Sequence, residues 1–273
     1  MEFSDKLPDA SVNISRESPL KEFAILFSGL LGFALAIYFA LGLLIDYSVK
    51  HLSAEQERAL SLSLGMEWAA IDLPERSAPI QAMVDRLLGE CAALPYKIKI
   101  VVVKNDAVNA AAFPGGVVLV FTGLLDKMRS ENELAFVLGH ELGHFKNRDH
   151  LKGMGRLLVL LVGSVFVLGP DNALGNLALS SLNLAETGFS RRQESDADEF
   201  ALKTLQCRYG HVGGATDFFA TMMKEESGLK LFNHFFASHP DSQKRIDAMD
   251  QQADQAGYPQ KATVPMPVLD KES

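Results

Sequence analysis

The longest uncharged block of the chain, Phe23 to Ile45, runs for 23 residues between Lys21-Glu22 and Asp46. A helix of that length crosses a ~30 Å hydrocarbon core. The block exceeds the h-region of a signal peptide, and no small-residue cleavage site follows it. It predicts one N-terminal transmembrane anchor, 23–45, behind a polar tail, 1–22.

Beyond the anchor the pattern becomes amphipathic. Ser53-Ala54-Glu55-Gln56 reads as a capping box that opens a helix toward Gly65, and a further helix is expected from Ser77 to Leu94. Lys97 to Val103 alternates basic and apolar residues and then becomes continuously apolar, as a strand entering a core does. Pro114-Gly115-Gly116 is a turn signal followed by β-branched Val117 to Thr122, which predicts a hairpin. Ser130-Glu131-Asn132-Glu133 is a second capping box, and Leu134, Val137, Leu138 and Leu142 continue from it at near-helical spacing. Ala197, Phe200, Ala201 and Leu205 mark another amphipathic helix, and one more starts near Asp241.

Two further runs are apolar but short. Leu157 to Gly169 has 13 residues and Ala173 to Leu184 has 12. Each extends ~18–20 Å as a helix, less than a full crossing. They predict an apolar helical hairpin insertion, 157–184, beside the rest of the domain and able to reach the membrane interface. From Tyr258 onward, Pro259, Pro265 and Pro267 and a lack of periodicity predict a mobile tail, 258–273. The fold class expected is α+β, mainly helical, with one domain over 46–257 and a small sheet.

Charge narrows the partners. A net charge of −8 and a pI near 5.4 argue against nucleic acid. Lys6, Arg16 and Lys21 precede the anchor, whereas Lys50 and Arg58 follow it. The positive-inside rule then leans toward an inside N-terminus and a main domain on the outer, periplasmic side. Cys91 and Cys207 form no CxxC site; they either pair in an oxidising compartment or serve as small buried hydrophobes.

The chemistry sits in His140-Glu141-Leu142-Gly143-His144. Histidines four apart share one helix face, where both can bind one Zn²⁺, and the intervening glutamate can hold the water that the metal activates. Gly139 and Gly143 are poor helix formers whose missing side chains permit another backbone, a substrate or a packed helix to come close. A hydrolytic zinc takes a third protein ligand and keeps one position open. Glu194 and Asp198 project from one side of the later helix, and Glu194 is assigned as that ligand. Asp198 is assigned as the carboxylate that accepts the other N–H of a ligating histidine.

His140 through Asp149, with Phe189-Ser190-Arg191-Arg192-Gln193-Glu194 and Asp198, resembles the HtpX-like and CAAX-prenyl-protease type of zinc metallopeptidase. Asn109-Ala110-Ala111-Ala112-Phe113-Pro114-Gly115-Gly116 running into Val117, and Ser238-His239-Pro240 followed by Arg245-Ile246, resemble two more motifs of that family, in the same order. The resemblance implies a zincin-like, membrane-associated endopeptidase with one zinc per chain, in protein quality control. Unfolded or membrane proteins are the substrates so implied, with the lipid bilayer as the other partner.

Glu141 is then the general base. His239 gains a place near the metal, either donating to the oxyanion of the scissile carbonyl or filling the open metal position. The strand at Asn109 and Ala110 and at Val117, Val118 and Leu119 is expected to bind an extended peptide along an exposed edge. The rival expectation is a protease-like chaperone or binding module with a mainly structural zinc.

Overall fold

The computed structural model describes residues 18–63, 68–95, 97–169, 172–173, 188–225, 239 and 242–267. It divides at Leu44/Ile45 into two compact units. The first is the greater part of helix α1, Pro19–His51. This helix begins before the expected anchor, and its most apolar 18-residue window has a mean hydropathy of 2.3 with no residue buried. By length and composition this helix is long and apolar enough to cross a membrane.

In the second unit, α2 (Ala54–Ser63) begins at the expected capping box, with Ser53 and Gln56 exchanging bonds of 2.8 and 3.1 Å. Helix α3 is Pro74–Cys91, shifted by one turn from the expected 77–94, because Pro74 supplies a preset first turn. Strands β1 (Lys99–Val103), β2 (Ala110–Phe113) and β3 (Val117–Phe121) form one sheet in the order β1-β3-β2. The β2–β3 pair is the hairpin expected at Pro114-Gly115-Gly116, where both glycines take φ +85°. A single turn, α4 (Thr122–Leu125), leads to α5 (Glu131–Asn147), α6 (Asp149–Leu168), α7 (Arg191–Tyr209), α8 (Asp217–Glu225) and α9 (Ser242–Ala256).

Strand order corrects one expectation. β3 pairs in parallel with β1 and antiparallel with β2, so it is the central strand. The main chain of Val117, Val118 and Leu119 is therefore already used and cannot receive a peptide. The outer edge of β1 is also closed: Gln81 bonds Ile98 O and Ile100 N, while Ser77 and Asp72 accept from Val102 N. The remaining edge is that of β2. Phe121 N donates to Asn109 O at 3.1 Å, which makes 109, 111 and 113 the residues bonded to β3. The N–H and C=O groups of Ala110 and Ala112 point the other way.

One face of the sheet, with Ala110, Ala112, Val118 and Val120, joins the main core of Leu87 from α3, Leu134 and Leu138 from α5, Leu205 from α7 and Phe219 from α8. The opposite face carries a smaller cluster of Val101, Phe113 and Leu119 with Trp68 packed on it. Helix α5 is held at its start by Ser130, whose hydroxyl accepts from Glu133 N at 3.2 Å, a cap worth about 1 kcal/mol.

The segment after Tyr258, expected to be mobile, is instead bonded to the start of α5. Glu131 N donates to Val264 O at 2.9 Å and Val264 N to Asn132 Oδ1 at 2.8 Å. Residues 268–273 lie outside the described residues, as do 1–17 of the polar tail. The first arm of the expected apolar hairpin is the second half of α6; the other arm, apart from Ala173, lies outside the described residues.

Helices α5 and α7 pack face to face through the two glycines. A Cβ at Gly139 would stand 3.2 Å from Ala201 Cα, and one at Gly143 only 2.8 Å from Ala197 Cα. The glycines thus serve the close approach of α7. Gly143→Ala should force the helices apart and cost about 1–3 kcal/mol, exceeding the ~1 kcal/mol gained in helix propensity. A lower urea midpoint would register it.

Cys91 at the end of α3 and Cys207 in α7 form a disulfide with Cα atoms 5.7 Å apart, closing a separation of 116 residues. Cys91→Ser should lower stability by about 2–4 kcal/mol, read as a fall in the urea midpoint.

Candidate metal centre

The α5–α7 contact brings the sequence-predicted ligands together. His140 and His144 lie on the α5 face that meets α7, and Glu194 and Asp198 lie in the first two turns of α7. Ser190 starts α7 with a reciprocal capping box to Gln193, which fixes where Glu194 emerges. All four side chains are buried.

His140 Nε2 and His144 Nε2 are 3.1 Å apart; Glu194 Oε2 lies 3.6 Å from the first and Glu194 Oε1 3.4 Å from the second. Ligands about 2.0–2.1 Å from a tetrahedral metal are separated by ~3.3–3.4 Å, so this triangle fits one ion. The outer ring nitrogens are held by carboxylates: His140 Nδ1–H donates to Asp198 Oδ1 at 2.9 Å and His144 Nδ1–H to Asp149 Oδ2 at 3.2 Å. Those bonds turn both Nε2 atoms inward and, in the neutral rings, set the tautomer that a metal ion needs.

Asp149 has no counterpart among the roles assigned from sequence. Arg148 adopts φ 55°, ending α5 and starting α6 in one left-handed residue, and that corner brings Asp149 back under His144. The ring of Phe189 stacks on His144 at 3.8 Å between centroids. Arg245, from α9, was also without an assigned role. Its Nε and Nη2 donate to Asp198 at 2.8 and 2.6 Å, and its Nη1 lies 2.5 Å from Glu194 Oε2. Both lay inside the motifs that carry the family resemblance, which was the one signal for them.

His239 joins the cluster rather than standing off it. Its Nδ1 is 3.2 Å from His140 Nε2 and 2.9 Å from Glu194 Oε1. Donor atoms of His140, His144, Glu194 and His239 all lie within 4.8 Å of one another. The carboxylate of Glu141 is buried beside them, and neither oxygen has a hydrogen-bond partner among the described residues. His239 Nε2 approaches one of those oxygens to 3.6 Å.

Electrostatics follow from this packing. Burial pushes the Glu141 carboxyl above the usual carboxylate range, against the pull of His239 and His144. Burial draws His140 down to about 4, against Glu194 and Asp198. It acts on His144 in the same direction, but bonds to Asp149 and Glu194 outweigh it and carry that ring up to about 9. Burial would also raise Glu194 and Asp198. For Glu194 the attraction of His239 and His140 prevails, and for Asp198 the bonds from His140 and Arg245, so both end lowered.

A buried His-His-Glu donor set beside an unbonded carboxylate defines a metal-dependent hydrolase. The sequence profile of peptidase family M48 matches residues 74–253, and the chain belongs to that family of metallopeptidases. It is similar to the metalloprotease LoiP of Escherichia coli, 33% identical over 156 residues that cover 55% of this chain and 60% of the relative. It is similar also to the mitochondrial metalloendopeptidase OMA1 of Danio rerio, 28% identical over 189 residues, or 64% of this chain and 39% of the relative. The metalloprotease YcaL of Escherichia coli is 33% identical over 143 residues, covering 50% and 55% respectively. The chain thus spans between 39% and 60% of the length of these relatives.

Proposed function

We propose that this protein is a membrane-anchored zinc metalloendopeptidase that hydrolyses unfolded or membrane proteins on the outer side of the membrane, in envelope quality control. The carrying observation is the triangle of His140, His144 and Glu194, with edges of 3.1–3.6 Å, around which no fourth permanent protein ligand is needed. Zinc held by those three residues would acidify water toward a pKa of ~7 and polarise a carbonyl.

The protein's own groups supply the rest. Glu141 accepts the proton of the attacking water and delivers it to the leaving amine. Asp198 and Asp149 keep the histidines in the ligating tautomer. His239, with Nδ1 2.9 Å from Glu194, stands in the donor set as in a resting enzyme. Moving aside when a peptide enters, it becomes a donor to the carbonyl oxygen. The open edge of β2 accepts the extended peptide through Ala110 and Ala112, with Asn109 beside it. Asn109 Oδ1, buried and without a partner among the described residues, supports a role in holding the peptide.

Sidedness draws support from the Cys91–Cys207 bridge, since structural disulfides persist in oxidising compartments. The test is metal analysis of the detergent-purified protein, with digestion of an unfolded substrate before and after chelation. About one zinc per chain, activity lost to the chelator and recovered on adding zinc are expected. Cleavage that persists in the stripped protein would overturn the assignment.

A further inference from the structure

Helix α6 changes character at Arg156. The residues from Leu157 to Leu168 carry no charge. Leu158, Leu160, Val162, Val165, Val167 and Leu168 are 37–76% exposed. At 100° per residue these positions spread over roughly 220° of the helix circumference, more than one flat protein face would cover.

The end of α1 gives this exposed arm a direction. Arg148, at the start of α6, donates through Nη1 to Val49 O at 2.9 Å and to Leu52 O. Two turns on, a Cβ at Gly155 would meet Ile45 Cγ2 at 2.7 Å, and Arg156 Nη2 donates to both oxygens of Asp46 at 3.0 Å. Between Arg148 and Arg156, α6 therefore runs back along α1, from Val49–Leu52 to Ile45–Asp46. Asp46 is where the uncharged block of α1 stops, and Arg156 is where that of α6 begins. The two changes from polar to apolar lie at one level, bridged by one ion pair.

We propose that residues 157–168 enter the lipid bilayer as a short embedded arm, with Asp46–Arg156 at the boundary of water and hydrocarbon. Twelve residues rise ~18 Å, a little over half of a ~30 Å core. The chain must come back to the same side, because Glu194 shares a site with His144. Arginine suits such a boundary, because its long stem can cover apolar surface while its charged end, here paired with Asp46, stays in water. Asp149 to Arg156 spans only ~10 Å of helix, so the catalytic centre is held close to the membrane surface. Its substrates are then membrane-protein segments that emerge just beside the bilayer. The inference rests on α1 being a membrane anchor.

The test uses full-length protein with its disulfide intact, in vesicles of phosphatidylcholine and phosphatidylglycerol. Val162→Cys and Val167→Cys are spin-labelled singly, with Leu31→Cys in α1 and Lys203→Cys in α7 as references. Collision with oxygen and with a water-soluble nickel chelate is then measured. Labels at 162 and 167 are expected to meet oxygen and to be as shielded from the chelate as the label at 31. Access of the chelate equal to that at 203 would overturn the proposal. Shielding from both reagents would overturn it too, in favour of a second protein surface over α6. A label at 31 open to the chelate would remove the anchor itself, a separate and recognisable failure.

Discussion

Glu141→Gln should keep its metal and lose about 10²–10⁴-fold in kcat/KM, the usual contribution of a positioned general base. The substitution is nearly isosteric, and the side chain is buried between α5 and the donor set without a hydrogen-bond partner among the described residues. Shape and ligands are thus retained, whereas an amide cannot take a proton from water. None of His140, His144 or Glu194 depends on Glu141 for its position. Metal content by atomic spectroscopy and cleavage of a denatured protein, measured together, decide the matter. Undiminished cleavage by the glutamine variant would remove Glu141 from the reaction. A variant that no longer cleaves but still retains unfolded protein and complements a deletion strain would favour the binding-module reading.

The ligand set was legible in the sequence because helical spacing carries it. His140 and His144 share a face by their four-residue separation, as do Glu194 and Asp198, and the Ser130 signal locates the start of the first helix. What periodicity cannot state is which helices touch. The contact is written in Gly139 and Gly143, but a glycine pair alone does not name Ala197 and Ala201 as the partners. Arg245 comes from a third helix 47 residues beyond Asp198, and no spacing rule links them. Asp149 depends on a left-handed Arg148, a backbone state that sequence rarely announces for a non-glycine residue. The sheet shows the same limit. The β-branched run at Val117–Phe121 marked a strand, but its central place follows from the parallel pairing with β1, a long-range choice. The bonds that tie Val264 to the main chain of Glu131 and the side chain of Asn132 need no apolar pattern, so nothing in the sequence of 258–267 announced them.

Arg245→Met should be the most damaging change outside the ligands, costing about 3–5 kcal/mol of stability in the metal-free protein. One guanidinium answers two buried carboxylates, Asp198 through two bonds and Glu194 through Nη1 at 2.5 Å. Burial alone would push both acids toward the neutral form, and Arg245 is among the cations that keep Asp198 ionised. Removing it takes away the one guanidinium that answers both carboxylates and leaves them to the histidines alone. The loss should shrink when metal is present, because a bound cation answers Glu194 directly. Metal affinity should fall by about 10–100-fold, the range found when a group that orients a ligand is removed. Arg245→Lys should recover part of the stability and less of the affinity, since an ammonium supplies charge without the paired geometry that aligns Asp198 with His140. Urea titrations with and without metal, and competition with a chelator of known strength, separate these effects. If affinity is unchanged while stability falls equally in both forms, Arg245 is a packing element of α9. In that case the alignment of His140 by Asp198 does not pass through it.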